Sequence, residues 1–409
     1  MAASVGLAMA FISIAKLLLF LCVLICLTQS LVSRGHKPAP NAALTYTTPV
    51  VLIILAAFAL SLTWTVAPPS DAYGSFAKYG KLLVIVILVL LIRTRREAVY
   101  ALSAFVLAQL FLFFSSWMLF WHLPVPWATS DMAFTKYAVF SSYLDQGIMG
   151  AVVAAICWHL RSAFPGRYGK HLAIAIALLS ISNVLFVLSG RSGHVVAIAL
   201  LSVAIMWELP RRFRPVVVVL PFVILAVLYF GSSKVRDRLN MVKSEVQAFS
   251  STQPTDTSSG IRLSFWLSAM RMIKEQPVAG LGVGSWSTEY NRMQRAANPA
   301  HQNINGNGNP HQEYLQWGLQ LGVPGLVLLM ALMVAVFRDT LGMPTATARA
   351  AQSTLLGLAV ACLFNSSLYD ALIGDFFCVA LGLLLALGSL ERQLARTQVS
   401  QFSTGTLPA

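Results

Sequence analysis

Apolar residues run along this chain in long unbroken stretches, without the apolar-polar alternation of a strand. Stretches long enough to cross about 30 Å of hydrocarbon fall near 8–31, 49–67, 75–93, 97–121, 146–163, 170–190, 193–209, 214–232, 312–337, 351–369 and 371–391. Only helices or closed barrels satisfy the backbone inside lipid. The pattern therefore predicts an all-α integral membrane protein of about 11–12 transmembrane helices with one long polar loop. Residues 1–33 accommodate either one long helix or a tight pair of short ones bent near Lys16, and the helix count turns on that choice. Because Lys16 interrupts the run and no positive segment precedes it, a cleavable signal peptide is not expected. The chain divides into N-terminal transmembrane helices over 1–232, the loop over 233–311, C-terminal transmembrane helices over 312–392 and a polar, frayed tail over 393–409.

Composition agrees. Apolar residues make up 57% and charged residues 11%, with a mean hydropathy of +0.71, a balance that a soluble domain with a polar shell does not carry. The net charge of +14 adds an orientation. Arg93, Arg95 and Arg96; Arg161, Arg167 and Lys170; Arg211, Arg212 and Arg214; Arg338 and Arg349; and Arg392 and Arg396 fall in alternate short connections, which the positive-inside rule places in the cytoplasm. That leaves 68–74, 122–145, 190–192, 233–311 and the turn near 370 on the outer side, with Trp117, Trp121 and Trp127 at the outer interface. The basic residues form no single stripe, so membrane lipids are expected partners and nucleic acid is not. Cys22, Cys26, Cys157, Cys362 and Cys378 all lie in apolar runs as small hydrophobes, suggesting neither a disulfide nor a metal site.

Chemistry is sought where polar residues survive on the outer side. Within the long loop, Ser258 to Leu267 and on to Met270, Met272 and Ile273 read as an amphipathic helix on or near the membrane surface. The following Gly280-Leu281-Gly282-Val283-Gly284 lacks the spacing of a dinucleotide-binding loop and reads as a turn that approaches a ligand or another helix. Arg191, in Ser189-Gly190-Arg191-Ser192-Gly193-His194, sits in a turn too short to carry its charge far from the bilayer. It is either a site residue with a fork suited to phosphate or a snorkelling or ion-paired arginine. His194 reads as a helix-packing residue. Pro310 at a helix start puts His311 in the first turn, where the helix N-terminus disfavours imidazolium. His311 is then a general base, or else a capping or interfacial histidine. His301 reads as part of an Asn/Gly-rich loop. No metal-ligand motif and no outer carboxylate cluster stands out, so metal-independent chemistry without a cofactor is expected.

His311-Gln312-Glu313-Tyr314-Leu315 followed by Gly322-Val323-Pro324-Gly325 resembles the signature of the O-antigen ligase and polymerase superfamily. The stretch Arg262 to Trp266, Glu275-Gln276-Pro277, the glycine turn and the Arg191 turn are similar to the same group in order and spacing, over roughly residues 180–370. Where that family often carries an acid nine positions after the histidine, this chain has Gln320. The resemblance implies a membrane-type (GT-C-like) glycosyltransferase acting on a polyprenyl-diphosphate-linked glycan at the periplasmic face of a bacterial inner membrane. The ligase branch moves O-antigen from undecaprenyl diphosphate to the lipid A-core; the polymerase branch extends the glycan; a third branch glycosylates protein hydroxyls. One dominant outer loop and no extra C-terminal domain fit the ligase. In this reading His311 is the base for the acceptor hydroxyl, and Arg191 and Arg262 clamp the departing diphosphate in place of a divalent ion, with inversion at the anomeric carbon. Lys81, Trp266, Gln312 and Tyr314 are expected as further substrate contacts. A transporter, the contrasting class, calls for inverted repeats and midplane charge, and neither is visible.

Overall fold

A computed structural model describes residues 1–5, 9–32, 44–164, 166–231, 258–297 and 308–403, with isolated positions between 236 and 244. The described elements are helical: α1 (Met9–Val32), α2 (Thr47–Ser61), α3 (Pro69–Tyr79) passing through a tight turn into α4 (Leu83–Leu91), α5 (Arg95–Phe120), the short α6 (Ala133–Lys136), α7 (Tyr143–His159), α8 (Gly169–Ser182), α9 (Arg191–Glu208), α10 (Val216–Gly231), α11 (Ser258–Glu275), α12 (Trp286–Ala297), α13 (Glu313–Thr340), α14 (Thr345–Ala361) and α15 (Ala371–Ser403). Every apolar run identified in the sequence lies on one of them. Among the described residues six stretches are long and apolar enough to cross a membrane: Pro69–Leu91, Arg95–Phe120, Gly169–Val187, Arg191–Glu208, Glu313–Thr340 and Ala371–Gln398. The protein is a multi-pass, all-α membrane protein.

Residues 9–32 form one helix, the first of the two alternatives left open, and Lys16 meets Asp375 of α15 at 2.6 Å. Two boundaries differ from expectation. The run ending near 369 stops as a helix at Ala361, leaving Cys362 to Asp370 as an ordered turn. The tail is helical through Ser403 because α15 simply continues, and residues 404–409 lie outside the described set.

Side-chain contacts gather the basic connections at one end of the bundle. Arg95 pairs with Glu391 at 3.1 Å, whose other oxygen accepts from Thr347 at the start of α14. Arg349 lies over the Trp207 ring near the end of α9, and Arg161 pairs with Glu208 at 2.7 Å. Asp339, in the last turn of α13, accepts the backbone N–H groups of Thr45, Tyr46 and Thr47, satisfying donors that the first turn of α2 leaves unpaired. At the centre lies α15, buried almost throughout its span. Small residues allow that burial: a Cβ on Gly382 would stand 2.8 Å from Leu88, and one on Gly374 would stand 2.7 Å from the Lys81 ammonium.

The opposite end is closed by a glycine strap, and the chain that receives it is broken to fit. Within α13, Gly322 adopts φ 68°, ψ −158°, interrupting the helix just before Pro324. Gly322 to Gly325 is thus a mid-helix break inside what the sequence reads as one apolar run over 312–337. A broken helix leaves carbonyls unpaired in a setting where each unsatisfied group costs several kcal/mol. Leu281 and Gly282 supply the missing donors, bonding Leu319 O at 2.8 Å and Gln320 O at 2.9 Å, while Val323 N–H reaches Pro277 O at 2.7 Å. On the strap's other side Val66 N–H meets Leu281 O, and Thr65 Oγ1 donates to Val283 O at 2.7 Å. The glycine turn therefore approaches a helix, one of the two alternatives its sequence allowed. Gly282 has φ 83°, and a Cβ there would collide with the Thr65 backbone. Gly282→Ala is expected to lower stability by about 2–4 kcal/mol, combining left-handed strain and overpacking, read as a lower Tm of the detergent-solubilised protein.

Candidate functional site

The starts of α7, α9, α13 and α15 lie at this same end, where Gly193 meets Gly147, Asp145 meets Asn365 and Glu313 meets the turn before α15, and helix N-termini favour nearby negative charge. The start of α9 is set by close backbone contact. A Cβ on Gly193 would stand 2.8 Å from Gly147 of α7, and one on Gly190 would stand 3.2 Å from Tyr143 O. Arg191, the first residue of α9, is thereby placed beside the first turn of α7. His194 turns its Nδ1 back to Gly190 O at 2.6 Å, a contact within its own helix end that matches the packing role.

The amphipathic helix is α11, and its apolar side is buried against protein. Phe265, Ala269 and Met272 pack with Trp286 and Tyr290 of α12 and Leu319 of α13. Phe265 also lies along the His311 ring, centroids 6.3 Å apart and planes 25° from parallel. Arg262, one helical turn before Phe265, follows onto the same side. The ionisable groups acting on Arg262 are Tyr143 and Arg191; burial first, then the neighbouring Arg191, pulls it below the usual arginine range, where it stays charged. Trp266 is half-buried, with an indole N–H that has no hydrogen-bond partner among the described residues.

His311 does not sit in the first helical turn. Gln312 is the N-cap of α13, its side chain accepting the Leu315 N–H at 2.6 Å, and His311 precedes it with a left-handed backbone, φ 54°. Asn309 holds that conformation, accepting the His311 N–H at 2.9 Å while its own amide donates to Asp370 at 2.8 Å. Burial lowers the imidazole below the ordinary histidine value, Arg262 lowers it further, and a hydrogen bond with Asn365 opposes both. Burial and Arg262 thus do what the sequence reading assigned to the helix dipole. Burial also lifts the Asp370 carboxyl to about 6, against the pull of Lys81, Lys78 and Asn309.

Arg262 of α11 lies within electrostatic reach of His311, in the loop before α13, and of Arg191 at the start of α9. The remaining expected residues are placed differently. Lys81 is buried and donates to Tyr369 O at 3.2 Å and Asp370 O at 2.7 Å. Glu313 accepts the N–H groups of Leu368 and Tyr369, and the two side chains together clamp the turn that carries Asp370. The Gln312 amide oxygen is used in the cap, and Tyr314 donates to Ala359 O at 3.0 Å inside the bundle. Gln320 accepts from Tyr79, whose ring stacks on Phe58 at 3.9 Å, so it is a core residue. His301 lies outside the described residues.

Sequence reading missed Asn365, whose amide donates to Asp145 at 3.2 Å, together with Asp145 and Asp370 themselves. Each acid borders an apolar run, and ionisable groups at membrane depth carry a functional prior that would have flagged them. Among the described residues, no group of three or more His, Cys, Asp or Glu side chains is disposed to hold a metal ion. Lys136 lies 5.8 Å from the Tyr143 ring, adding a cation on the Arg262 side.

Residues 175–330 match the model of the O-antigen ligase family, a span that includes Arg191, Arg262, His311, the glycine strap and the α13 break but not Asp145, Asn365 or Asp370. The chain is also 27% identical over 105 residues to an uncharacterized protein of Haemophilus influenzae; the match covers 26% of this chain and 25% of that relative's length.

Proposed function

We propose that this protein, whose residues 175–330 form an O-antigen ligase family domain, transfers a glycan from undecaprenyl diphosphate to a lipid A-core hydroxyl at the periplasmic face of a bacterial inner membrane. The observation that carries the reading is that Arg262 lies within electrostatic reach of both Arg191 and His311, two guanidiniums beside a histidine whose imidazole burial and Arg262 lower below its ordinary value. His311 takes the acceptor hydroxyl proton as that oxygen attacks the anomeric carbon. The bond to the diphosphate breaks with its electron pair leaving on the diphosphate oxygen, and Arg191 and Arg262 stabilise the charge. One displacement from the face opposite the leaving group inverts the anomeric configuration. Facing the arginine-rich end of the bundle to the cytoplasm puts this site outside. Two lipid substrates then reach a site at the membrane rim by lateral diffusion.

The test uses the purified protein with undecaprenyl-diphosphate glycan, with and without lipid A-core. Glycan joined to the core lipid is the expected product; extension of the donor's own glycan, independent of the core, would instead identify a polymerase. Turnover is expected to persist in excess chelator, because guanidinium groups do the neutralising that a divalent ion does elsewhere. Loss in chelator with restoration by magnesium would overturn the metal-independent reading.

A further inference from the structure

Two lysines bracket the turn that carries Tyr369 and Asp370, and the protein uses them differently. Lys81 is buried, its ammonium bonded to the carbonyls of Tyr369 and Asp370. Lys78, near the end of α3, is exposed, and its Nζ stands 4.1 Å from the centroid of the Tyr369 ring. Ser75, on the same helix, fixes that ring through its hydroxyl at 2.8 Å. A cation held on an aromatic face keeps all three N–H donors for another acceptor. No carboxylate among the described residues pairs with Lys78. The acids at this turn are engaged elsewhere, Glu313 by the N–H groups of Leu368, Tyr369 and Trp317 and Asp370 by Asn309. Hydrogen bonds also tie the turn to the proposed base, since Asn309 joins Asp370 at 2.8 Å to the His311 N–H at 2.9 Å. One turn before Lys78 on the same face of α3, Gly74 is exposed, and a Cβ there would meet nothing within 4 Å among the described residues. Glycine is the poorest helix former after proline, and here no neighbour in the chain demands it. It leaves an open shelf one turn from the ammonium, where a ligand can approach the backbone.

We propose that Lys78, with the shelf at Gly74, binds a phosphate group of the lipid acceptor and so selects which acceptors reach His311. The proposal rests on the reading of the protein as a glycan transferase with His311 as the base. Inversion needs the acceptor oxygen and the leaving diphosphate on opposite faces of the anomeric carbon, so the guanidiniums proposed to hold the diphosphate are not available to the acceptor's own phosphates. Lys78 connects to His311 through Tyr369, Asp370 and Asn309, whereas Arg262 comes from α11 beside Phe265. The two cations thus serve the base from different elements. A lysine suits the acceptor's phosphate, because a point charge on a flexible stem follows a headgroup of variable geometry where a planar fork would not. Its exposure lets a membrane-anchored lipid present that phosphate from the side.

The test measures transfer by the purified protein with lipid A-core varied at saturating donor, and separately the binding of lipid A-core without donor. Lys78→Ala is expected to raise the acceptor KM and dissociation constant roughly 5- to 10-fold, the range of one partly exposed, hydrogen-bonded ion pair, with kcat and donor KM unchanged. Lys78→Arg should restore most of that affinity. Gly74→Leu puts bulk on the shelf where a Cβ meets nothing, so it should also raise the acceptor KM, and it covers the case in which Lys78→Ala does not fold. Lipid A-core stripped of its phosphates should bind the wild type and Lys78→Ala alike, since the partner of the ammonium is then gone from both. Lys274→Ala, exposed in the last turn of α11, is the control and should change neither constant. An unchanged acceptor KM in Lys78→Ala and Gly74→Leu, a rise confined to the donor KM, or an equal loss in Lys78→Ala with the phosphate-free acceptor would overturn the proposal. Competition by phosphatidylglycerol as strong as that by lipid A-core would overturn it too, making Lys78 a contact for any bilayer phosphate. Should acceptor binding weaken as expected while the wild type joins no glycan to the core lipid, the phosphate site stands and the transferase reading fails.

Discussion

His311→Ala is expected to abolish glycan transfer while donor binding survives. A positioned base contributes about 10²- to 10⁴-fold, and the two guanidiniums proposed to hold the diphosphate remain in place. The loss should appear in kcat, with the donor dissociation constant near that of the wild type. Folding is the alternative explanation, because His311 carries a left-handed backbone at φ 54° ahead of the α13 cap. His311→Asn separates the two: asparagine tolerates that conformation better than most residues, keeps the Asn309 contact to the backbone N–H, and has no basic nitrogen. It should melt like the wild type and be as inactive as the alanine variant. In the wild type, burial and Arg262 lower the imidazole, so kcat/KM should hold as pH falls through the ordinary histidine range and decline only below it. Near-normal transfer by either variant would return His311 to a structural role.

The helices were legible because a bilayer admits so few solutions: each long apolar run became a helix, and alternating arginine clusters became one end of the bundle. Arg191 was legible for the same reason, since a charge in a short turn between two apolar helices has nowhere remote to go. The glycine turn was legible as a close approach because three glycines at every second position offer little side chain to keep a neighbour away. What it approaches was not. The break at Gly322 and the carbonyls it exposes only make sense together with the N–H groups of Leu281 and Gly282, forty residues upstream in roughly that order of separation. Side-chain roles were less legible, because one residue type serves two purposes. Lys81, Gln312 and Tyr314 are polar groups near the signature, yet each is engaged in holding backbone. Asn365 and Asp145 are 220 residues apart and meet only through the packing of α14 on α7.

Arg262→Ala should be the second severe loss, and its signature should differ from that of the histidine. Removing one preorganised group that stabilises transition-state charge typically costs 10²- to 10³-fold in kcat, and donor affinity should also weaken because the diphosphate is charged before the bond breaks. Arg262→Lys should recover only part of this, since an ammonium keeps the charge but not the planar fork that engages two phosphate oxygens. A third readout tests the geometry itself. Arg262 lowers the His311 imidazole, so its removal should move the acid limb of kcat/KM to higher pH. Arg292, on the α12 surface and paired with Glu289 one turn away, is the matched control and should leave transfer unchanged. If Arg262→Ala lowered kcat without moving the acid limb, the guanidinium would not be acting on the histidine, and the clamp would have to be rebuilt around Arg191 alone.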